Sequence, residues 1–130
     1  DHERDMRRLI SIEPENPHAY NALGYTLADK TDRLAEALEL IEKALALSPG
    51  DPFILDSLGW VHYRRGDLDS ALELLQQAIE QQPDAEIAAH LGEVLWQMGD
   101  EDGALIVWQG GQQNNPENAV LIETLRRYGQ

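Results

Sequence analysis

Residues 52–83 read PFILDSLGWVHYRRGDLDSALELLQQAIEQQP, and this stretch decides the fold. Two helical patterns flank one short break, Arg65-Gly66-Asp67. The first carries its packing stripe at Leu55, Leu58, Gly59 and His62, and the second at Ala71, Leu75 and Ala78. These are i, i+3, i+4, i+7 steps, the periodicity of one helix face. The small residues Gly59, Ala71 and Ala78 allow two helix axes to approach closely. A break this short forces the pair to pack antiparallel as a hairpin.

The pattern occurs three times. Gly24, Gly59 and Gly92 share one register, as do Ala37, Ala71 and Ala104. So do Ile41, Leu75 and Trp108; Ala44, Ala78 and Gly111; and Pro49, Pro83 and Pro116, at spacings of 33 to 35 residues. Leu-Gly in the first helix, Ala at the start of the second and Pro at its end resemble the tetratricopeptide repeat, and the resemblance covers nearly the whole chain. It implies an all-α fold of about eight helices, a right-handed superhelical stack of antiparallel hairpins. The expected boundaries, within a single array over 1–130, are the second helix of a truncated repeat at 1–14, full repeats at 17–49, 52–83 and 85–116, and a C-terminal cap helix at 118–128.

Charge and composition narrow the function. The 130 residues carry 24 Asp plus Glu against 10 Lys plus Arg, a net charge of −14. Nucleic acid and anionic membrane demand basic patches, so neither is an expected partner. Basic or neutral partners are weakly favoured. Runs such as Glu36, Glu39 and Glu42 also read simply as solvated helix faces. With no cysteine there is no disulfide or thiol chemistry. No apolar run approaches the ~20 residues of a membrane helix, and no signal peptide is evident.

Along the chain, Met6 and Leu9 take the positions that Leu75 and Ala78 hold in the second copy, so the first helix reads as one cut from a longer array. Asn16-Pro17, Asp51-Pro52 and Asp84 open the three first helices by capping. Asp67 and Asp100 cap second helices after Gly66 and Gly99. The turn at Lys30-Thr31-Asp32-Arg33 lacks that glycine and carries one extra residue. The third copy departs from the others with Glu101 in place of Leu34 and Leu68, and with Gly110-Gly111 inside its helix, which costs roughly 1 kcal/mol per glycine. The third repeat is expected to be the least stable. Arg126 falls where Gly24, Gly59 and Gly92 would receive a further helix, so the last helix reads as a solvated end cap and Gln130 as close to the natural C-terminus.

In the family that the chain resembles, first helices line a concave groove. In the second copy Asp56, Trp60 and Tyr63 form a second stripe, offset from the packing face by about 100° per residue of rotation. The equivalents are Asn21, Tyr25 and Ala28, then Ala89, Glu93 and Trp96, with Arg64 and Gln97 flanking. Of three Trp, four Tyr and one Phe in the chain, Tyr25, Trp60, Tyr63 and Trp96 fall on this one surface. Aromatics with a polar tip are common in recognition, so Asn21, Tyr25, Asp56, Trp60, Tyr63, Arg64, Glu93, Trp96 and Gln97 are the candidate binding residues for a peptide or helix, with Asp56 and Glu93 giving acidic selectivity. The competing reading packs these rings between adjacent first helices. Some family members clamp the acidic C-terminus of chaperones with groove Lys and Arg; with Arg64 the only groove cation found, that reading is rejected.

Catalytic and metal readings find no support. The histidines His2, His18, His62 and His90 are scattered, His62 at a packing position, and none shows metal-ligand spacing. No phosphate loop follows Gly110-Gly111, and no Ser-His-Asp order can be assigned. No cofactor or metal is expected. The reading is a non-enzymatic adaptor or scaffold for a protein or peptide. Its alternative is a segment that closes a longer array, with partner recognition in the repeats before it, and that self-associates around Met6, Leu9 and Ile10 as a two-fold homodimer. The phrases at 55–60 and 88–96 further resemble the C-terminal end of long proteobacterial repeat proteins, some of them outer-membrane lipoproteins or adaptors for a periplasmic processing protease. That implies a bacterial periplasmic or outer-membrane setting, with the cytoplasm as the other possibility, and the protease or its substrates as partners.

Overall fold

Short polar side chains begin every helix but the one at Leu34–Leu47, and those at Asn16, Asp51, Asp67, Asp84 and Asp100 are the ones expected from the sequence. Asn16 accepts from the His18 N–H, Asp51 from Phe53 and Ile54, Asp67 from Ser70, Asp84 from Glu86 and Ile87, Asp100 from Gly103, and Asn118 from Leu121. Each cap satisfies backbone donors that the first turn leaves without a partner. A computed structural model of the chain describes all 130 residues and contains eight helices and no strand. They are α1 (His2–Ile12), α2 (Pro17–Lys30), α3 (Leu34–Leu47), α4 (Pro52–Arg64), α5 (Leu68–Gln81), α6 (Ala85–Gln97), α7 (Glu101–Asn114) and α8 (Ala119–Arg127).

Three hairpins, α2/α3, α4/α5 and α6/α7, stack in sequence order. The turns at Gly66 and Gly99 place those residues at φ +88° and +93°, where an L side chain would be strained. The α2–α3 turn uses another device: Thr31 Oγ1 accepts from the Arg33 N–H and donates to the Leu27 carbonyl. α1 lies on α2, while α8 rests on α6 and α7. The apolar core is divided among four clusters along the stack, as an array that buries its surface between neighbours requires.

Close approach within each hairpin rests on the glycine row. A Cβ on Gly24 would stand 2.5 Å from Ile41 Cγ1, and one on Gly59 2.9 Å from Leu75 Cγ. At Gly92 it would stand 2.0 Å from the Nε1 of Trp108, a fully buried indole that donates to the Ala89 carbonyl at 3.2 Å. The paired glycines of α7 part company. Gly110 faces open space, whereas a Cβ on Gly111 would lie 2.9 Å from Ala88 Cβ and 3.1 Å from Leu121 Cδ2. Gly111 therefore has a packing reason that the sequence reading, which counts both residues as costs, does not see. Arg126, in the register of the glycine row, is exposed and paired with Glu123.

Candidate functional site

Four helices, α2, α4, α6 and α8, present side chains to one open trough of about 500 Å³. Tyr25 and Asp29 come from α2, Trp60, Tyr63 and Arg64 from α4, His90 and Glu93 from α6, and Val120, Glu123 and Arg127 from α8, with Lys30 at one lip. Tyr25, Trp60, Glu93 and Arg127 form one row across the trough, because they occupy the same position in four successive first helices, 33 to 35 residues apart.

Much of this surface is already spoken for by the protein itself. Trp60 is 5% exposed. Its ring has His90 4.3 Å away and Tyr63 4.8 Å away, and its Nε1–H donates to Asp29 at 3.3 Å. His90 is buried, with Nδ1 2.8 Å from Asp56 Oδ1 and Nε2 3.1 Å from the Tyr25 hydroxyl. Glu93, 5% exposed, accepts from Tyr63 at 2.8 Å and from Arg127 at 2.8 Å. Its bond and charge hold the Arg127 guanidinium above its ordinary range, although burial opposes this. Burial first, and the surrounding carboxylates second, push both the Tyr25 and Tyr63 phenols up, so both remain neutral.

Of the nine candidates from sequence, Tyr25, Trp60, Tyr63, Arg64 and Glu93 line the trough, and Asn21, Asp56, Trp96 and Gln97 do not. Asp56 is turned inward and buried against His90. Asn21 is half-buried, its Oδ1 without a hydrogen-bond partner. Trp96 packs on Trp108 and Tyr128, and Gln97 donates to the Tyr128 hydroxyl at 3.0 Å, so these two seat the end of the chain. The competing expectation, rings packed between first helices, describes Trp60. Arg64 is also not the only cation: Lys30 and Arg127 join it, facing Asp29, Glu93 and Glu123. The lining is balanced in charge, and the acidic selectivity expected from Asp56 and Glu93 is corrected accordingly.

Sequence reasoning missed Arg127 and His90. Arg127 continues the Tyr25–Trp60–Glu93 row. His90 stands where the other copies have the small residues Ala22 and Ser57, and a large polar ring at a small-residue position was the available signal. No group of three or more His, Cys, Asp or Glu side chains is arranged to hold a metal ion, and no helix is long and apolar enough to cross a membrane.

Stacked hairpins whose first helices share a concave face define a helical repeat solenoid. Models of the tetratricopeptide repeat match residues 15–84 and 57–119, and the chain belongs to that family. It is 58% identical over 91 residues to a TPR repeat-containing protein of Pseudomonas aeruginosa, a match covering 70% of this chain and 15% of the relative. It is 32% identical over 76 residues to bacteriophage adsorption protein A of Escherichia coli, covering 58% of this chain and 8% of that protein. The chain thus spans a small part of the length of these relatives. A thermophilic TPR protein of Thermus thermophilus superposes with a TM-score of 0.79 at 23% identity, over 98% of this chain and 69% of that one. Repeats of this family generally mediate protein–protein interaction and are typically non-catalytic.

Proposed function

We propose that this chain is a non-enzymatic adaptor or scaffold module that holds a peptide or helix of a partner protein in the trough formed by α2, α4, α6 and α8. The observation that carries this reading is the trough itself: about 500 Å³, open to solvent, and lined from α2, α4, α6 and α8, with Tyr25, Trp60, Glu93 and Arg127 in one register. Its rim has donors to spare. Arg64 uses its Nε on the Ala28 carbonyl at 2.9 Å, which leaves its terminal amino groups for a ligand. Val120 and Ala119 add apolar surface to the lining. A partly apolar cleft with a few fixed polar groups suits an amphipathic segment. Against catalysis, both His90 nitrogens are engaged, and the one lining hydroxyl besides tyrosine, on Thr124, donates to Val120 of its own helix.

Partners to test first are bacterial envelope proteins, including periplasmic processing proteases and their substrates, which the sequence resemblance suggests. The chain is used as bait beside an Arg64→Glu/Val120→Arg variant, whose changes sit on the lining and spare the buried Trp60. A partner retained by the first and lost by the second is the expected result. A partner retained equally by both refutes the trough. A second reading, self-association, draws on α1, where Ile12 is 65% exposed and Met6, Leu9 and Ile10 are only partly covered. Sedimentation at several concentrations tests it, with a monomer throughout as the refuting outcome.

A further inference from the structure

The hydrogen-bonded line Asp56–His90–Tyr25 runs through the wall of the trough and joins three successive repeats. Asp56 and His90 are each 2% exposed, and Trp60 covers the imidazole face. The side chain of Asp56 bonds to no side chain but His90. A buried carboxylate is costly unless it is paired and hydrogen-bonded. The imidazole is its only candidate for a counter-charge.

The geometry serves two proton arrangements. As an imidazolium, His90 donates from Nδ1 to Asp56 and from Nε2 to the Tyr25 oxygen. The Tyr25 O–H is then free to donate into the trough. As a neutral ring, His90 keeps Nδ1–H on Asp56, and Nε2 accepts the Tyr25 hydroxyl proton. The trough then meets only the phenol lone pairs. One proton on His90 reverses the hydrogen-bonding sense of a ligand-facing hydroxyl.

We propose that His90 is a proton-operated selector for the trough: protonated, it makes Tyr25 a donor suited to peptide carbonyl or carboxylate oxygens, and neutral, it makes Tyr25 an acceptor suited to N–H groups. The ligand preference rests on the trough being the binding surface; the proton chemistry does not. The charged and titratable groups facing His90 are Tyr25 and Asp29 of α2, Asp56 of α4, and Glu86 and Glu93 of α6, with Arg127 of α8 neutralising Glu93. Burial disfavours the imidazolium, but Asp56 first, then Glu86 and Glu93, outweigh it, and the net direction for His90 is upward. Glu86 is itself pushed up by its burial. A group whose folded value is raised stabilises the fold below its unfolded value, near about 6.5 for histidine. That contribution is lost as pH rises through the folded value.

The test needs no ligand, so its failure is separate from failure of the trough to bind. The ring nitrogens of the uniformly 15N-labelled chain are followed by NMR from about pH 5 to about pH 9, with Tyr25→Phe and Asp56→Asn alongside. His90 should titrate above free histidine, with both N–H signals present in the imidazolium form. Tyr25→Phe should leave the Nδ1 proton protected while Nε2 exchanges faster. Asp56→Asn should bring the midpoint below free histidine, because burial, the largest influence, is then opposed only by the weaker pull of Glu86 and Glu93. Should Asp56→Asn fail to fold, the melting temperature of the parent chain decides: as pH rises above the ordinary histidine value, about 6.5, it should fall more steeply than that of His90→Gln. A His90 that titrates at or below free histidine in the parent chain overturns the proposal. So does a pH profile of stability unchanged by His90→Gln.

Discussion

Replacing Gly92 by alanine places a methyl group where Trp108 already stands. The new Cβ would lie 2.0 Å from the indole Nε1 and 2.5 Å from Cδ1 and Cε2. Ordinary contact between heavy atoms begins near about 3.5 Å, so the ring must retreat by more than about 1 Å. Trp108 is fully buried, with the Trp96 and Tyr128 rings packed against it. Overpacking of this kind costs about 1–3 kcal/mol. Loss of the Trp108–Ala89 hydrogen bond adds about 1 kcal/mol, and alanine's better helix propensity returns up to about 1 kcal/mol. The expected net is a destabilisation of about 1–3 kcal/mol. Gly110→Ala is the matched control in the partner helix of the same hairpin. Nothing lies within 4 Å of its Cβ, so only the propensity term acts, and a gain of about 0.5–1 kcal/mol is expected. Urea unfolding followed by far-UV circular dichroism reads both. With slopes of about 1–3 kcal/mol per molar urea, the two midpoints should separate by roughly 1 M. A Gly92→Ala chain as stable as the parent, or a Gly110→Ala chain less stable than Gly92→Ala, would refute the packing argument.

Gly59→Leu, which would drive a side chain into Leu75, and Ala71→Phe should each lower the melting temperature through a loss of about 1–3 kcal/mol or more; an unchanged melting temperature contradicts the hairpin register. Arg127→Ala removes the cation that bridges to buried Glu93 and should cost about 1–2 kcal/mol in thermal unfolding, since Arg127 is partly solvated. Asp84→Ala deletes the acceptor for the Glu86 and Ile87 N–H groups and should cost about 1 kcal/mol, measured the same way. At the other end, Arg33 first and then Arg7 hold the Glu3 carboxyl down at about 2. Its tie between α1 and the α3 entry is therefore present above the usual carboxylate range and lost as pH falls toward about 2. Hydrogen exchange of α1 amides should accelerate over that interval ahead of α4, and equal acceleration in both helices would contradict it.

The hairpins were legible because their causes are local. Caps, turn glycines and the small-residue row each act within a few residues or between two partners of one hairpin. The trough was half legible. Helical spacing places Tyr25, Trp60 and Tyr63 on one face, but it carries no information on how sharply successive repeats turn. That curvature brings Tyr25 of the first repeat to His90 of the third and closes Trp60 between His90 and Tyr63. An aromatic stripe that looked available for a ligand thus became partly interior. Asp56 went the same way, because a partner 34 residues distant, invisible to single-helix periodicity, turns it inward.

The Tyr25–His90 bond also bears on how this array comes apart. α2 and α6 belong to repeats that are not adjacent in the stack. In a solenoid coupled only through touching repeats, an end can fray while the rest stands, and stability is a sum over neighbouring pairs. A strut that skips a repeat breaks that rule. Losing the first hairpin releases the third hairpin's imidazole along with it, and straightening the stack pulls the strut apart before any hairpin opens. The segment from α2 to α6 should therefore stiffen against straightening until that one bond gives way.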